Sequence, residues 1–178
     1  RDRRTIEQKP EYTWKNTGFD QTQKHPVVNV SWNDAQKFCE WLSQREGTVY
    51  QLPTEAQWEY ACRAGTTGRV VTGDVPGDLE GSANVGDRSY HRIPGFDQYI
   101  VFRFDDGSSF TATVGSYRKN PFGLSDMHGN VWEWCSDWYH EKYYVNSPQD
   151  NPSGPNSGKF RVYRGGGWLN DPVGCRSA

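Results

Sequence analysis

Apolar residues recur at helical spacing in only two stretches of the chain. Ala35, Phe38, Cys39, Trp41 and Leu42 follow Ser31-Trp32-Asn33-Asp34, a serine cap with an acidic residue three positions on. This predicts a helix with one apolar face to about Ser43. Trp58, Ala61 and Cys62 follow Pro53-Thr54-Glu55-Ala56-Gln57, where Thr54 caps and Gln57 closes a capping box. Gly65 is placed to end that second helix. Short apolar or alternating runs predict strands at Val27–Val30, Ile100–Phe102, Ala112–Val114, Val131–Cys135 and Phe160–Arg164, the last entering Gly165-Gly166-Gly167-Trp168. The three glycines read as close backbone packing beneath Trp168. Residues 1–24 are polar, with Trp14 and Phe19 isolated, and read as an extended surface segment. Residues 66–121 are rich in Gly and Asp, and residues 140–158 form a loop with three prolines. Loops of such length in one domain are usually functional, or are tied down by ions or aromatic packing.

Composition changes this picture in one respect. Hydrophobic residues make up 34% of the 178 residues and aromatics alone 15%, so aliphatics, Cys and Met together are less than a fifth. Eight Trp, ten Tyr and eight Phe are therefore expected to carry most of the burial. That excludes a leucine-packed bundle, a coiled coil and a parallel sheet of Val/Ile runs, and the aromatics argue against disorder. The length suits a single domain over residues 1–178. A net charge of −2 gives no footprint for nucleic acid or an anionic membrane. No stretch approaches the roughly 18 apolar residues of a membrane-spanning helix. The chain opens Arg1-Asp2-Arg3-Arg4 without Met or an apolar run, and stops at Ala178, so a fragment of a larger polypeptide is expected. Cys39, Cys62, Cys135 and Cys175 are widely spaced with no CxxC. They read as reduced, buried thiols rather than a zinc site or disulfides, which favours the cytoplasm.

Four segments together resemble the formylglycine-generating enzyme (sulfatase-modifying factor) family. They are His25-Pro-Val-Val-Asn-Val-Ser-Trp-Asn-Asp-Ala35, Leu52-Pro-Thr-Glu-Ala-Gln-Trp-Glu-Tyr-Ala-Cys-Arg-Ala-Gly65, Asn120-Pro-Phe-Gly-Leu-Ser-Asp-Met-His-Gly-Asn-Val-Trp-Glu-Trp134 and Arg161-Val-Tyr-Arg-Gly-Gly-Gly-Trp168. The resemblance implies an α+β, C-type-lectin-like fold with much irregular structure, two helices and short antiparallel strands.

It also implies Ca²⁺. Asp126 and Glu133 are two hard carboxylates seven residues apart around a turn, and calcium takes six to eight oxygens. In the resembling family this segment binds calcium through positions that match the Asp126 side chain, the Gly129 and Val131 carbonyls and Glu133. A second family calcium site maps onto the side chains of Asn84 and Asp106 and the carbonyls of Val85 and Ser108.

The resembling enzymes oxidise a protein cysteine to formylglycine with O₂, using copper(I) held by two cysteines five residues apart after a Gly-Gly-Ser-aromatic stretch. Soft thiolates suit that soft ion. Aligned without gaps, the two positions here are Asn170 and Cys175, so only Cys175 could serve as a catalytic thiol. Aligned so that Arg176-Ser177-Ala178 meets the family's Arg-x-Ala, even Cys175 falls out of register. Either way the pair is incomplete. Trp132 matches a position that borders the family's active pocket, although the residues themselves favour a core Trp, and Trp168, Asn170 and Asp171 complete a candidate ligand pocket.

Two functions therefore stand side by side. One is a copper- and O₂-dependent oxidoreductase acting on a cysteine of a client protein. The other is a lectin-like module binding a protein or peptide ligand, either a retroelement-diversified variable protein or an accessory domain of a larger protein. Nucleic acid and membrane insertion are not expected.

Overall fold

The computed structural model describes residues 9–95, 102–171 and 174–178. Both capping boxes form and start the two α-helices. Ser31 accepts from Asp34 N at the head of α1 (Trp32–Glu46), and Gly47, at φ 67°, ends it. Thr54 and Gln57 close the box of α2 (Glu55–Arg63). The left-handed cap of α2 is Ala64, at φ 46°, one residue before the expected Gly65. Two short 3-10 turns follow, Pro76–Leu79 and Arg88–Arg92.

Two strands form the sheet. β1 (Glu133–Trp138) and β2 (Arg161–Arg164) pair antiparallel, with Glu133 opposite Arg164, Trp134 opposite Tyr163 and Trp138 opposite Arg161. The register shifts between Trp134 and Trp138. β1 thus begins two residues later than the alternation suggests and runs on to Trp138, the end opposite Arg161. The expected strand at Val27–Val30 does not form. Asn29 adopts φ 58° there, which breaks an extended run. Ala112–Val114 is not a strand either. Its Ala112 backbone is held by a side chain instead: Ala112 N donates to Asn130 Oδ1 (2.9 Å), and Asn130 Nδ2 donates to Ala112 O (3.3 Å). Ile100 and Val101 lie outside the described residues, and Phe102 is a core residue without strand pairing.

The core has two small apolar clusters. Val70, Leu79, Ala83, Val85, Phe102 and Cys175 form one; Trp58, Cys62, Cys135 and Val162 form the other, under α2 and the sheet. The side chain of His128 joins them. Its Nδ1 lies 2.7 Å from Cys175 O, and its Nε2 lies 3.1 Å from Val71 N and 3.6 Å from the Cys62 sulfur.

The expectation that aromatics make up the core is corrected. Trp58 is the one tryptophan that is fully buried, whereas Trp14, Trp41 and Trp132 are exposed. The others lie half-buried, and two of them tie loops together through their indole N–H groups: Trp32 to Cys135 O (2.8 Å) and Trp134 to Val30 O (3.2 Å). Phe19 is not isolated. It stacks on Phe110 at 4.8 Å and meets the edge of Trp168, so the N-terminal segment is pinned to the body. Of the cysteines, Cys62, Cys135 and Cys175 are buried and Cys39 is half-buried, all as free thiols. Among the described residues no helix is long and apolar enough to cross a membrane.

Candidate functional site

The turn between Asp126 and Glu133 is the structural hub. Asp126, Gly129 and Asn130 all have positive φ. A Cβ on Gly129 would stand 2.0 Å from Asn84 O, so the two backbones approach as only glycine allows. Asn130 N donates to Asn84 O (2.7 Å), Gly129 N to Gly165 O (2.7 Å) and Trp168 N to Asn130 O (2.9 Å). Three distant segments, around residues 84, 129 and 166, are thereby laced together.

Both carboxylates of this turn belong to half-buried residues. Asp126 Oδ2 accepts from Gly115 N (2.7 Å), but its Oδ1 is buried with no partner. Glu133 Oε2 accepts from Trp58 Nε1 (2.6 Å). Burial pushes the Glu133 carboxyl above the usual range, the indole bond opposes this, and the charge of Asp126 adds to it. No described hydrogen bond uses the carbonyl oxygens of Gly129 or Val131. This is an oxygen-rich, electron-rich turn with spare acceptors.

The second set shows the same imbalance. Asn84 donates through Nδ2 to Phe110 O (2.8 Å) and Asn130 Oδ1 (3.2 Å), while its own Oδ1 is buried with no partner. Asp106 accepts from Val85 N and Ser108 N, both at 2.8 Å. Burial nevertheless pushes the Asp106 carboxyl up to about 7, with the Asp87 and Asp105 charges adding. Ser108 O accepts from the Ser89 hydroxyl (2.9 Å), and Val85 O has no described partner. Asp87, which sequence reading did not single out, is fully buried here and accepts from Asp106 N and Ser89 N. Its local signal was weak: an Asp before a short turn reads only as a cap. Among the described residues no three His, Cys, Asp or Glu side chains converge, so a cation in either place would rely on amide and carbonyl oxygens.

The glycine run does not pack beneath Trp168. Gly165 faces the Trp58 ring, and a Cβ on Gly166 would stand 2.6 Å from the Cys175 sulfur. Trp168 packs instead among Phe19, Tyr90 and Phe110, with the Tyr90 hydroxyl donating to its carbonyl. Cys175 points into the first apolar cluster, and burial pushes its thiol up to about 12. Asn170 closes a turn on the glycines: its Oδ1 accepts from Gly167 N (2.8 Å), and its carbonyl accepts from Gly86 N (3.1 Å). Asp171 is exposed, and its Oδ1 accepts from Gly174 N (3.1 Å). Asn170 and Cys175 therefore do not face one site.

Above this turn lies an open cleft of about 540 Å³. Its lining includes Val27–Val30, the aromatic side chains of Trp132, Trp134 and Tyr163, and Gly167, Trp168, Leu169 and Asn170. Trp132 is not a core residue. It is 41% exposed and meets Tyr163 edge-to-face at 4.8 Å. Among the described residues, no Asp, Glu, Lys, Arg, His or Cys lines this cleft. The Val27–Val30 wall and Tyr163 were not singled out from sequence. The wall reads as a strand, and nothing local says that it is left unpaired: no described hydrogen bond uses the backbone groups of Val27, Val28 or Asn29.

Known proteins share both sequence and shape with this chain. It is 44% identical over 148 residues to the formylglycine-generating enzyme of Streptomyces coelicolor, covering 82% of this chain and 42% of that protein. It is 38% identical over 156 residues to the serine/threonine-protein kinase pkn1 of Chlamydia pneumoniae, covering 85% of this chain and 21% of the kinase. The chain thus spans less than half the length of these relatives. Among solved structures, PvdO from Pseudomonas aeruginosa superposes with a TM-score of 0.72 at 30% identity, over 89% of this chain and 56% of that one. Treponema denticola variable protein 1 superposes with a TM-score of 0.69 at 28% identity, over 86% and 64%. The family model of the sulfatase-modifying factor enzyme 1-like domain matches residues 3–178, and the chain belongs to that family.

Proposed function

We infer that this domain is a binding module whose ligand, a protein or peptide segment, seats in the aromatic cleft over Trp132 and Tyr163. The observation that carries this reading is the chemistry of the cleft lining: aromatic faces and a Val27–Asn29 backbone without described hydrogen bonds, with no thiol and no charged group among the described residues. Aromatic platforms supply contact area at low entropic cost, and open backbone N–H and C=O groups can pair with an extended peptide.

The same lining does not fit copper(I). Two-sulfur coordination needs two deprotonated thiols facing one space. Here one position is Asn170, whose side-chain oxygen is spent on Gly167 N, and the Cys175 thiol is packed against Gly166 in the apolar core. Copper- and O₂-dependent oxidation of a client cysteine remains the second reading, favoured by the identity to the Streptomyces coelicolor enzyme.

Calcium does fit. Unpartnered buried oxygens on Asp126 and Asn84, beside Glu133 and Asp106, are the donors a hard cation takes. Asp126, Glu133 and the Gly129 and Val131 carbonyls would hold one ion; Asn84, Asp106, Val85 O and Ser108 O would hold the other. Bound calcium would supply positive charge that locks the loops beneath the cleft.

Panning a random phage-displayed peptide library on the protein tests the reading. Selected peptides should bind the wild type and lose about tenfold or more in affinity with Trp132→Ala, as expected for an exposed aromatic anchor. Copper(I) uptake with aldehyde formed on a Cys-x-Pro-x-Arg peptide would overturn it in favour of the oxidase.

A further inference from the structure

The lining of the cleft over Trp132 and Tyr163 restricts what can enter it. Four apolar side chains there stay exposed: Val27 at 64%, Leu169 and Tyr163 at 50%, and Trp132 at 41%. Trp132 and Trp134, two residues apart, both meet Tyr163 edge-to-face, at 4.8 and 5.7 Å. Apart from the aromatic rings, the polar side chains in the lining are the amides of Asn29, Asn130 and Asn170, and each is engaged within the protein. Asn29 Nδ2 donates to Thr13 O (3.4 Å), Asn130 Oδ1 accepts from Ala112 N (2.9 Å), and Asn170 Oδ1 accepts from Gly167 N (2.8 Å). The Trp134 indole N–H is spent on Val30 O. Among the described residues, no charged group in the lining could pair with a charge on a ligand. A charged side chain seated here would give up water and gain no counter-charge, which is unfavourable.

The backbone of the same cleft limits how much of a peptide can pair with it. The N–H and C=O groups of Val27 and Val28 make no described hydrogen bond. Before them, Pro26 has no N–H, and its carbonyl accepts from Gln21 Nε2 (3.2 Å). After them, Asn29 turns the chain at φ 58°, and the Val30 carbonyl is taken by Trp134. The run of backbone open to a ligand is therefore two residues long. A strand advances about 3.3 Å per residue and its side chains alternate between faces, so pairing with two residues turns one side chain in a stretch of about three toward the cleft.

Resting on the reading of this cleft as a peptide site, we propose that it recognises a short segment, about three residues long, whose central side chain is large and uncharged. That side chain seats on Trp132 and Tyr163 while the main chain pairs with Val27 and Val28. The acetylated and amidated tripeptides Gly-Trp-Gly, Gly-Leu-Gly, Gly-Lys-Gly and Gly-Glu-Gly, titrated into ¹⁵N-labelled protein, test it. The Trp and Leu peptides should shift the amide signals of Val27 and Val28 saturably and bind about tenfold or more tighter than the Lys and Glu peptides. Trp132→Ala should weaken the Trp peptide about tenfold or more. Leu169→Glu, at an exposed position of the lining, should raise the affinity of the Lys peptide to at least that of the Leu peptide. Two further glycines at each end of the Trp peptide should change its affinity less than about threefold, because no further backbone is open to them. Equal or tighter binding of the Lys and Glu peptides, still weakened by Trp132→Ala, would overturn this inference and leave the peptide-binding reading standing. So would failure of the Trp and Leu peptides to bind alongside panned peptides that do need Trp132. No Trp132-dependent peptide of any kind would overturn both.

Discussion

His128 carries more of the interior than any sequence motif around it suggests. Its ring is buried, and burial pushes its pKa down, so it stays neutral. Val71 N–H at Nε2 and Cys175 C=O at Nδ1 together set the tautomer: Nδ1 holds the proton and donates, and Nε2 accepts. His128→Ala would strand one buried donor and one buried acceptor and open a void between the two clusters. We expect a loss of ~2–4 kcal/mol in urea unfolding, against less than ~1 kcal/mol for the exposed His140 changed to Ala. A comparable small loss at both positions would show that the ring is not a structural tie. No local pattern marks His128, because its partners lie 57 and 47 residues away. Arg161 is a similar case. It lies between the rings of Trp32 and Trp138, at 3.7 and 3.5 Å, and donates to Ser136 O. The sequence shows three residues suited to stacking, but only the fold brings them together.

At the scale of elements, the two helices contrast. Both start where their capping boxes stand, since a cap is a bond between residues three apart and is legible locally. Their burial is not. α1 reads as amphipathic, yet none of its residues is buried, and Phe38 and Trp41 are 57% and 49% exposed. It is anchored at its first residue, by the Trp32 indole on Cys135 O and the Arg161 stack. α2 is shorter but buries Trp58 and Cys62 against the sheet. Phe38→Ala and Trp41→Ala should therefore each cost under ~1 kcal/mol in denaturant melts, and Trp58→Ala ~3–5 kcal/mol. Amide exchange should be faster through the second half of α1 than in α2. Equal costs at Trp41 and Trp58 would mean that α1 packs on a partner in solution.

For the molecule as a whole, the buried carboxyl of Asp106 sets a pH dependence of stability. Because burial lifts Asp106 to about 7, its ionised form is disfavoured in the folded chain relative to the unfolded one. The stability it contributes is complete below the ordinary carboxylate range and is lost as pH rises through about 7. In chelator, the thermal midpoint should fall between about pH 5 and pH 8, and Asp106→Asn should flatten that slope. Millimolar calcium should raise the midpoint most at the upper end of the range, because a cation stabilises the ionised form. A midpoint at pH 8 that is the same in chelator and in calcium would count against a cation in either loop.

Local chemistry determined the parts of this protein that depend on neighbours in the chain: two capped helices, a Gly- and Asp-rich body, and the motifs that place it in its family. It also set Asn170 five residues before Cys175, a position that carries no sulfur whatever the fold. Tertiary structure alone decided which way side chains face. It turned Cys175 into the core, brought Trp132 out to line a cleft, left Val27–Val30 outside any strand and set Arg63, Arg69 and Arg176 around one cavity. The physical reason lies in the backbone bonds that lace residues 84, 129 and 165 together. Orientation in a loop-rich domain is set by such long-range ties, and no periodicity along the chain records them.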